Sequence, residues 1–137
     1  MSRKHKYADS HFSIETRLSA DRFAEITKHV GDSTKTLLGT VRFEGADRGR
    51  TNFSVRSMAG FYELLTFHVT IHDTATGSSG RSHIDTYKTT QQTYMFIPIS
   101  PKTMNGYVLY RRFMKDVRAA VLAEDSRALV TISERGA

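Results

Sequence analysis

One stretch near the end of the chain, residues 102–124, constrains the fold more than any other. On a helical wheel its apolar side chains gather on one broad face, as in an amphipathic helix. That face comprises Tyr107, Leu109, Tyr110, Phe113, Met114, Val117, Ala120 and Val121. Pro101 suits the first helical turn, where a missing N–H removes no hydrogen bond. The sequence therefore predicts one long helix, from about Thr103 to Ala123, whose apolar face must be covered by the rest of the chain.

The residues before this helix alternate between apolar and polar side chains, which is typical of strands with one buried face. Six strands are predicted, at residues 11–18, 36–44, 50–57, 61–73, 81–89 and 93–100. Between the first two, Ser19 as N-cap and Gly31 as C-terminal stop delimit a short helix. This order predicts an α+β fold in which a curved antiparallel sheet of six or seven strands grips the C-terminal helix. The alternation assigns inward positions to residues that include Leu37, Met95, Ile97 and Ile99.

The loop between the third and fourth predicted strands sets the register of the sheet. A three-residue loop at residues 58–60 places Val55 opposite Glu63 and Phe53 opposite Leu65. A slip by one residue would bring polar side chains into the apolar row, which favours this register. The same register predicts that Glu63 faces the interior.

The composition is that of an ordinary globular chain with an excess of basic residues. At 137 residues it fits a single domain, 1–137, with a core at about 11–124 and flexible ends before it and after Glu124. The tail, with Leu129, Val130 and Ile132, is alternatively an edge strand or part of a subunit contact. The absence of cysteine excludes disulfides and thiolate zinc sites. No apolar run approaches the roughly 20 residues of a membrane-spanning helix, so we expect a cytoplasmic protein without a membrane span.

The order of the elements resembles that of a known superfamily. A first strand with its helix (FSIETRLSADRFAEITKHV), the GADRG turn, successive hairpins and a final helix (PKTMNGYVLYRRFMKDVRAAVL) are similar to the START and Bet v 1-like superfamily, the helix-grip fold also called SRPBCC. The resemblance covers residues 11–124. It implies an apolar or amphipathic ligand, lipid- or polyketide-like, held between sheet and helix. No cofactor is expected. It also admits cyclase- or hydrolase-like activity, although the sequence contains no catalytic motif.

Ten residues are candidates for lining such a cavity. They are Phe53, Val55, Glu63, Leu65, Phe67, Thr86, Lys88, Met95, Tyr107 and Tyr110. Glu63 and Lys88 are the informative members, because a charge in an apolar wall must pair, reach the cavity mouth or meet a ligand. Opposite charges on an otherwise apolar wall predict a ligand with one polar end. The alternative is that both side chains lie near strand ends and reach water.

A second constellation consists of polar side chains on the opposite face of the sheet. A two-residue turn at residues 78–79 would place His72 opposite Asp85, with His68 and His83 on the same face. Histidine and carboxylate side chains at that separation can bind a metal or transfer protons. Because these residues alternate with core positions, solvent-facing structural histidines are the favoured interpretation, and no metal is predicted.

The final helix also carries a basic row, and the chain as a whole has a net charge of +6. The row consists of Arg111, Arg112, Lys115 and Arg118. Such a row can contact a protein or RNA partner, although no known nucleic-acid-binding motif accompanies it. The sequence thus leaves two functions open: a small-molecule binding protein with an internal cavity, and an interaction module that uses its basic surface. A core without a void of roughly a few hundred Å³ would favour the second.

Overall fold

The computed structural model describes residues 4–57, 62–100 and 102–135. In chain order its elements are β1 (His11–Thr16), α1 (Ala20–Ser33), β2 (Lys35–Thr36), β3 (Gly39–Asp47), β4 (Arg50–Ser57), β5 (Glu63–Asp73), β6 (Ser78–Tyr87), β7 (Thr89–Thr90), β8 (Thr93–Tyr94), β9 (Ile97–Pro98), β10 (Thr103–Met104), α2 (Tyr107–Glu124) and β11 (Leu129–Ser133). Seven strands form one curled antiparallel sheet in the order β11-β1-β6-β5-β4-β3-β2. The two helices pack against each other and against this sheet. The predicted α+β architecture is confirmed.

Helix α1 begins at the predicted cap and ends later than predicted. The Ser19 hydroxyl accepts a hydrogen bond from the backbone N–H of Arg22 (3.1 Å). The helix continues past Gly31 to Ser33. Gly31 lies against the ring of Phe53, where an added Cβ would be 2.6 Å from Cε1. The glycine therefore serves the close approach of α1 to the sheet and not the end of the helix.

The apolar face of α2 is confirmed, but the helix starts later than predicted. The buried members of that face are Tyr107, Leu109, Tyr110, Phe113, Met114, Val117 and Val121. Gly106, immediately before the helix, has a left-handed conformation (φ 82°), and Thr103–Met104 pair with β7 as a short strand. These two features delay the helix to Tyr107. Pro101, predicted in the first turn, lies outside the described residues.

The register between β4 and β5 differs from the predicted one by two residues. Phe53 lies opposite Phe67 instead of Leu65. The backbone N–H of Ser57 donates to the carbonyl of Tyr62 (2.8 Å), and a bulge lies near the end of β4, so the connection is longer than three residues. The loop predicted at residues 58–60 lies outside the described residues. Up to the bulge, a shift of two leaves the side chains on their predicted faces, which is why Phe53 and Phe67 are nevertheless buried. Glu63 lies beyond the bulge and is exposed.

The connection between β5 and β6 also differs from the prediction. The turn spans residues 74–77, so His72 lies opposite Ser79 and not opposite Asp85. A bulge then interrupts β6 at Asp85: Ile84 lies opposite Phe67 and Thr86 opposite Thr66, so Asp85 is an extra residue between the two pairs. Beyond the bulge the alternation is inverted: Thr86 is exposed, and Tyr87 packs against the core.

The predicted sixth strand, residues 93–100, is not part of the sheet. β8 and β9 form a separate hairpin, so the expected inward orientation of its apolar residues is wrong: Met95, Ile97 and Ile99 are 76%, 64% and 63% exposed. Leu37 is likewise exposed, because it lies in the turn between β2 and β3. The seventh strand of the sheet is β11, which pairs with β1. The tail is therefore an edge strand and not a flexible end.

The N-terminal segment packs on the fold instead of fraying. Ala8 and Ser10 are buried, and the backbone N–H of His5 donates to the hydroxyl of Tyr87 (3.1 Å). Apolar side chains of this short segment find partners on the core, which its basic composition did not predict. In the part of the chain that the structure describes, no helix is long and apolar enough to cross a membrane.

Candidate ligand-binding site

Aromatic rings occupy the space between the sheet and the middle of α2. Phe53 stacks on Phe67 with ring centroids 5.1 Å apart, and the Phe113 ring lies 5.0 Å from the first and 4.8 Å from the second. The ring of Tyr110 packs edge-on against Phe67 at 4.8 Å. These distances are those of direct ring contact. A ligand between sheet and helix would have to displace this cluster.

An open pocket of about 540 Å³ lies at the N-terminal end of α2. Three parts of the chain form it: residues 5–7, the segments on either side of the β8–β9 hairpin, and the first turns of α2. The side chains that give it its character are Lys6, Tyr7, Lys102, Met104, Tyr107, Val108 and Arg111. The pocket thus combines an apolar and aromatic wall with several cationic groups. Its volume is within the range of small-molecule sites.

Two tyrosines and an arginine form the aromatic wall of this pocket. The rings of Tyr7 and Tyr107 are stacked, with centroids 4.4 Å apart. The guanidinium carbon of Arg111 lies 5.0 Å from the Tyr107 ring centroid and 5.8 Å from that of Tyr7, which is cation–π geometry. Nε of Arg111 donates to a carboxylate oxygen of Glu134, just beyond β11. The tail of the chain therefore holds Arg111 in place over the rings.

A chain of buried hydroxyl groups continues from this wall into the core. The Tyr107 hydroxyl donates to Glu134 (3.0 Å) and lies 2.7 Å from the Ser10 hydroxyl. The Tyr110 hydroxyl donates to the backbone carbonyl of Ser10 (2.8 Å) and lies 2.8 Å from the hydroxyl of Ser82. In the described parts of the chain, no buried side-chain nitrogen or oxygen lacks a hydrogen-bond partner. The network joins α2, β6, the N-terminal segment and the tail.

The pKa values of this network follow from burial and from Arg111. Burial raises the pKa of Tyr107 to about 12, and burial also raises the pKa of Tyr110. The hydrogen bond from Arg111 lowers the pKa of Glu134. At neutral pH both phenols are therefore protonated hydrogen-bond donors and Glu134 is an anion. Arg111 and Glu134 balance each other, so the positive charge of the pocket comes mainly from its lysines.

The helix itself adds a positive field to the pocket. The N-terminus of α2 lies in the pocket wall, and the first turn of this helix contains no acidic residue. Gly106 provides no side-chain cap for the first N–H groups. Because the helix dipole is positive at this end, an anion beside Tyr107 or Val108 is favoured.

The predicted cavity residues fall into two groups. Phe53, Val55, Leu65, Phe67, Tyr107 and Tyr110 are buried, and of these Tyr107 also lines the pocket. The inward orientation predicted for Glu63, Thr86, Lys88 and Met95 is wrong, since all four are exposed. Glu63 lies at the start of β5 within 3.7 Å of Arg56, and the β6 bulge turns the following positions outward. The alternative weighed for Glu63 and Lys88, that they reach water near strand ends, is the one observed.

Sequence reasoning missed most of the pocket. Tyr7 and Glu134 come from the ends of the chain, where no periodic pattern predicts a contact with α2. Lys102 belongs to the stretch that predicts the helix, but in the structure it lies five residues before α2 begins. The aromatic and basic composition of residues 4–7 is the one sequence feature that could have indicated this region, although that end is predicted to be flexible.

The histidines of the outer sheet face form a separate polar cluster. Nδ1 of His68 lies 2.9 Å from both carboxylate oxygens of Asp85, and Arg50 approaches the same carboxylate at 3.5 Å. The ring of His83 is 5.3 Å from that of His68. With His72, Arg81 and Glu15, these histidines line a depression of about 610 Å³. No group of three or more His, Asp or Glu side chains among the described residues is arranged to hold a metal ion.

The basic row of α2 is partly neutralised. Arg111 pairs with Glu134, and Arg112 lies 3.6 Å from Asp116 one turn later. Lys115 and Arg118 are on the surface of the helix. A protein or RNA partner for this row stays a prediction.

Comparisons with protein-family models, with curated proteins and with solved structures found no significant match. The curled seven-stranded sheet and the C-terminal helix are compatible with a helix-grip fold.

Proposed function

We propose that this protein binds a small amphipathic molecule with an anionic group in the pocket at the N-terminal end of α2. The observation that supports the proposal best is the aromatic wall itself. The half-buried ring of Tyr7 stacks on the buried ring of Tyr107, and Glu134 holds Arg111 against both. A rigid wall of this kind binds a ligand with little loss of side-chain freedom.

The charge of the pocket favours an anionic group on the ligand. Lys6 and Lys102 line the pocket, and among the described residues neither forms an ion pair. The positive end of the α2 dipole points to the same space. Tyr107, protonated at neutral pH, cannot repel an anion.

The apolar part of the ligand would lie against Val108 and the half-buried ring of Tyr7. The nearly buried side chains of Tyr107 and Met104 support these two from behind. By analogy with the START and Bet v 1-like superfamily, an apolar or lipid-like compound held near the gripped helix is the expected ligand class. The difference lies in its position. In this chain the rings of Phe53, Phe67 and Phe113 fill the space between the sheet and the middle of α2. The ligand is therefore expected in the pocket at the N-terminal end of α2.

The test is a fluorescence titration with anilinonaphthalene sulfonate, an amphipathic anion, and with the uncharged N-phenylnaphthylamine. Val108→Glu places a carboxylate in the pocket at a half-exposed position, where the helix N-terminus tolerates an acid. A like charge roughly 10 Å from the sulfonate costs roughly 1.5 kcal/mol at an effective dielectric constant of about 20, or about tenfold in affinity. Ala119→Glu makes the same change of charge at an exposed position on α2 outside the pocket.

We expect Val108→Glu to weaken binding of the anionic probe about tenfold and binding of the uncharged probe far less. The affinity of Ala119→Glu for both probes should be close to that of the wild type. Equal affinity of all three proteins for the anionic probe would refute the proposed site.

A second experiment identifies the ligand directly, by native mass spectrometry of the protein purified from its own host. A ligand without an anionic group would contradict the charge argument.

A further inference from the structure

The hairpin formed by β8 and β9 exposes an unusual amount of apolar surface. Tyr94 and Ile97 face each other across it and are 68% and 64% exposed. Met95 and Phe96 form its tip, where both have positive φ (49° and 69°) and Phe96 is 98% exposed. Positive φ is unfavourable for residues other than glycine, asparagine and aspartate. This tip therefore presents two large apolar side chains at a local cost in backbone energy.

Other exposed apolar side chains lie at the same end of the molecule. The β2–β3 turn carries Leu37 and Leu38, Tyr62 precedes β5, and Val108 is in the first turn of α2. The pairing of Gly39 with Ser57 places the β2–β3 turn beside the end of β4, and Gly106 packs between Val55 and Leu64. Of the ten large apolar side chains that are exposed in the described part of the chain, Leu129 alone lies at the opposite end of the sheet. We call this the apolar end: Leu37, Leu38, Tyr62, residues 94–97, Ile99 and Val108.

The charge around the apolar end is positive. Lys6, Lys35, Lys88 and Lys102 are exposed there, and among the described residues none of them is in an ion pair. Three carboxylates at this end are paired, Asp9 with Lys4, Glu63 with Arg56 and Glu134 with Arg111. Asp32, at the end of α1, is exposed and opposes the four lysines. The apolar side chains are thus surrounded by a net excess of unpaired cations.

We propose that the apolar end docks on the surface of a lipid bilayer that contains anionic lipids, with the β8–β9 hairpin inserted at the boundary between headgroups and acyl chains. Aromatic and aliphatic side chains such as Phe96 and Ile97 gain by leaving water there, and Tyr94 suits the interface because its ring is apolar and its hydroxyl polar. The lysines lie where they can contact anionic headgroups. The proposal does not rest on the proposed function, since it requires no ligand in the pocket.

A second copy of this chain is a less suitable occupant. A symmetric dimer through the apolar end would bring Lys88 and Lys102 of one protomer toward the same lysines of the other. Like charges facing each other oppose association, whereas an anionic bilayer complements them. Charge therefore distinguishes the two occupants.

The test measures co-sedimentation of the full chain with vesicles of phosphatidylcholine alone and of phosphatidylcholine with about 30% phosphatidylserine. Phe96→Ser combined with Ile97→Ser removes the tip of the hairpin at exposed positions, where folding is expected to be retained and is checked by circular dichroism. Leu129→Ser is the matched control, because Leu129 is 67% exposed at the opposite end. We expect the wild type and Leu129→Ser to bind the anionic vesicles alike and the hairpin variant to bind at least about tenfold more weakly.

A second arm tests the charge. Lys88→Gln and Lys102→Gln should each weaken binding to the anionic vesicles about fivefold, and raising the salt concentration should weaken it further. Equal binding of the wild type to both kinds of vesicle, or to neither, would overturn the proposal. So would sedimentation of the free protein as a dimer that the hairpin substitutions convert to a monomer, which would assign the apolar end to a second copy.

Discussion

Replacing Tyr110 by phenylalanine should destabilise the fold by about 2–4 kcal/mol, although it removes a single oxygen atom. The Tyr110 hydroxyl donates to the backbone carbonyl of Ser10 and contacts the hydroxyl of Ser82, both at 2.8 Å. Ser10 and Ser82 are both 0% exposed, so water cannot replace the lost partner. Each buried polar group left unpaired costs about 1–3 kcal/mol. The expected sum is moderated because Ser82 keeps the hydrogen bond that it accepts from the N–H of Phe12 (2.9 Å).

Urea unfolding followed by far-ultraviolet circular dichroism measures this loss, with the slope of the transition expected to stay unchanged. The matched control is Tyr94→Phe, which removes the same atom from a residue that is 68% exposed, and its effect should stay within about 0.5 kcal/mol. A loss in Tyr110→Phe as small as that of the control would refute the reasoning. It would mean that the chain of hydroxyl groups can rearrange or admit water without cost.

Two further predictions concern stability. Burial raises the pKa of Tyr107 from 10.0 to about 12, so its contribution is complete below pH 10 and falls as the pH rises toward 12, because the unfolded state loses the proton first. The urea concentration at the midpoint of unfolding should therefore decrease as the pH rises above 10, and it should decrease less in Tyr107→Phe. Gly31→Ala places a Cβ 2.6 Å from the Phe53 ring and should cost about 1–3 kcal/mol in the same assay, despite the better helix propensity of alanine. A raised midpoint would contradict that packing.

The faces of the helices and of most strands could be predicted because they depend on short periods. Apolar residues every second position assign Phe53, Phe67 and Val69 to one face whatever their partners are. A helical period does the same for Phe113 and Val117. Both assignments are confirmed, since burial is determined locally once the element type is known.

The pairing of the strands could not be predicted from the same pattern. A shift of two residues between β4 and β5 exchanges one apolar partner of Phe53 for another, so the alternation fits both registers equally well. The bulge at Asp85 is different in kind. A single extra residue inverts the face of everything that follows, which is why Thr86 and Lys88 were assigned to the interior and lie outside.

The pocket depends on contacts that no local sequence pattern predicts. Tyr7 and Glu134 come from opposite ends of the chain and both contact Tyr107 of α2. Tyr7 stacks on its ring, and Glu134 accepts a hydrogen bond from its hydroxyl. Their positions follow from the docking of two terminal segments, each of which looks solvated on its own. Only the assembled fold brings these groups together.

The apolar residues that are predicted to be buried but are exposed lie together in the molecule. Leu37, Met95, Ile97 and Ile99 were all assigned to the core because they are apolar members of regular alternations, and all are exposed at the apolar end. A globular chain gains about 1.5–3 kcal/mol by burying each such side chain, so leaving several in water at one place opposes folding. Departures of this kind are expected where a surface has a use other than stability. The same end carries the pocket and lysines that form no ion pair among the described residues, which supports the proposal that these residues are apolar for binding and not for packing.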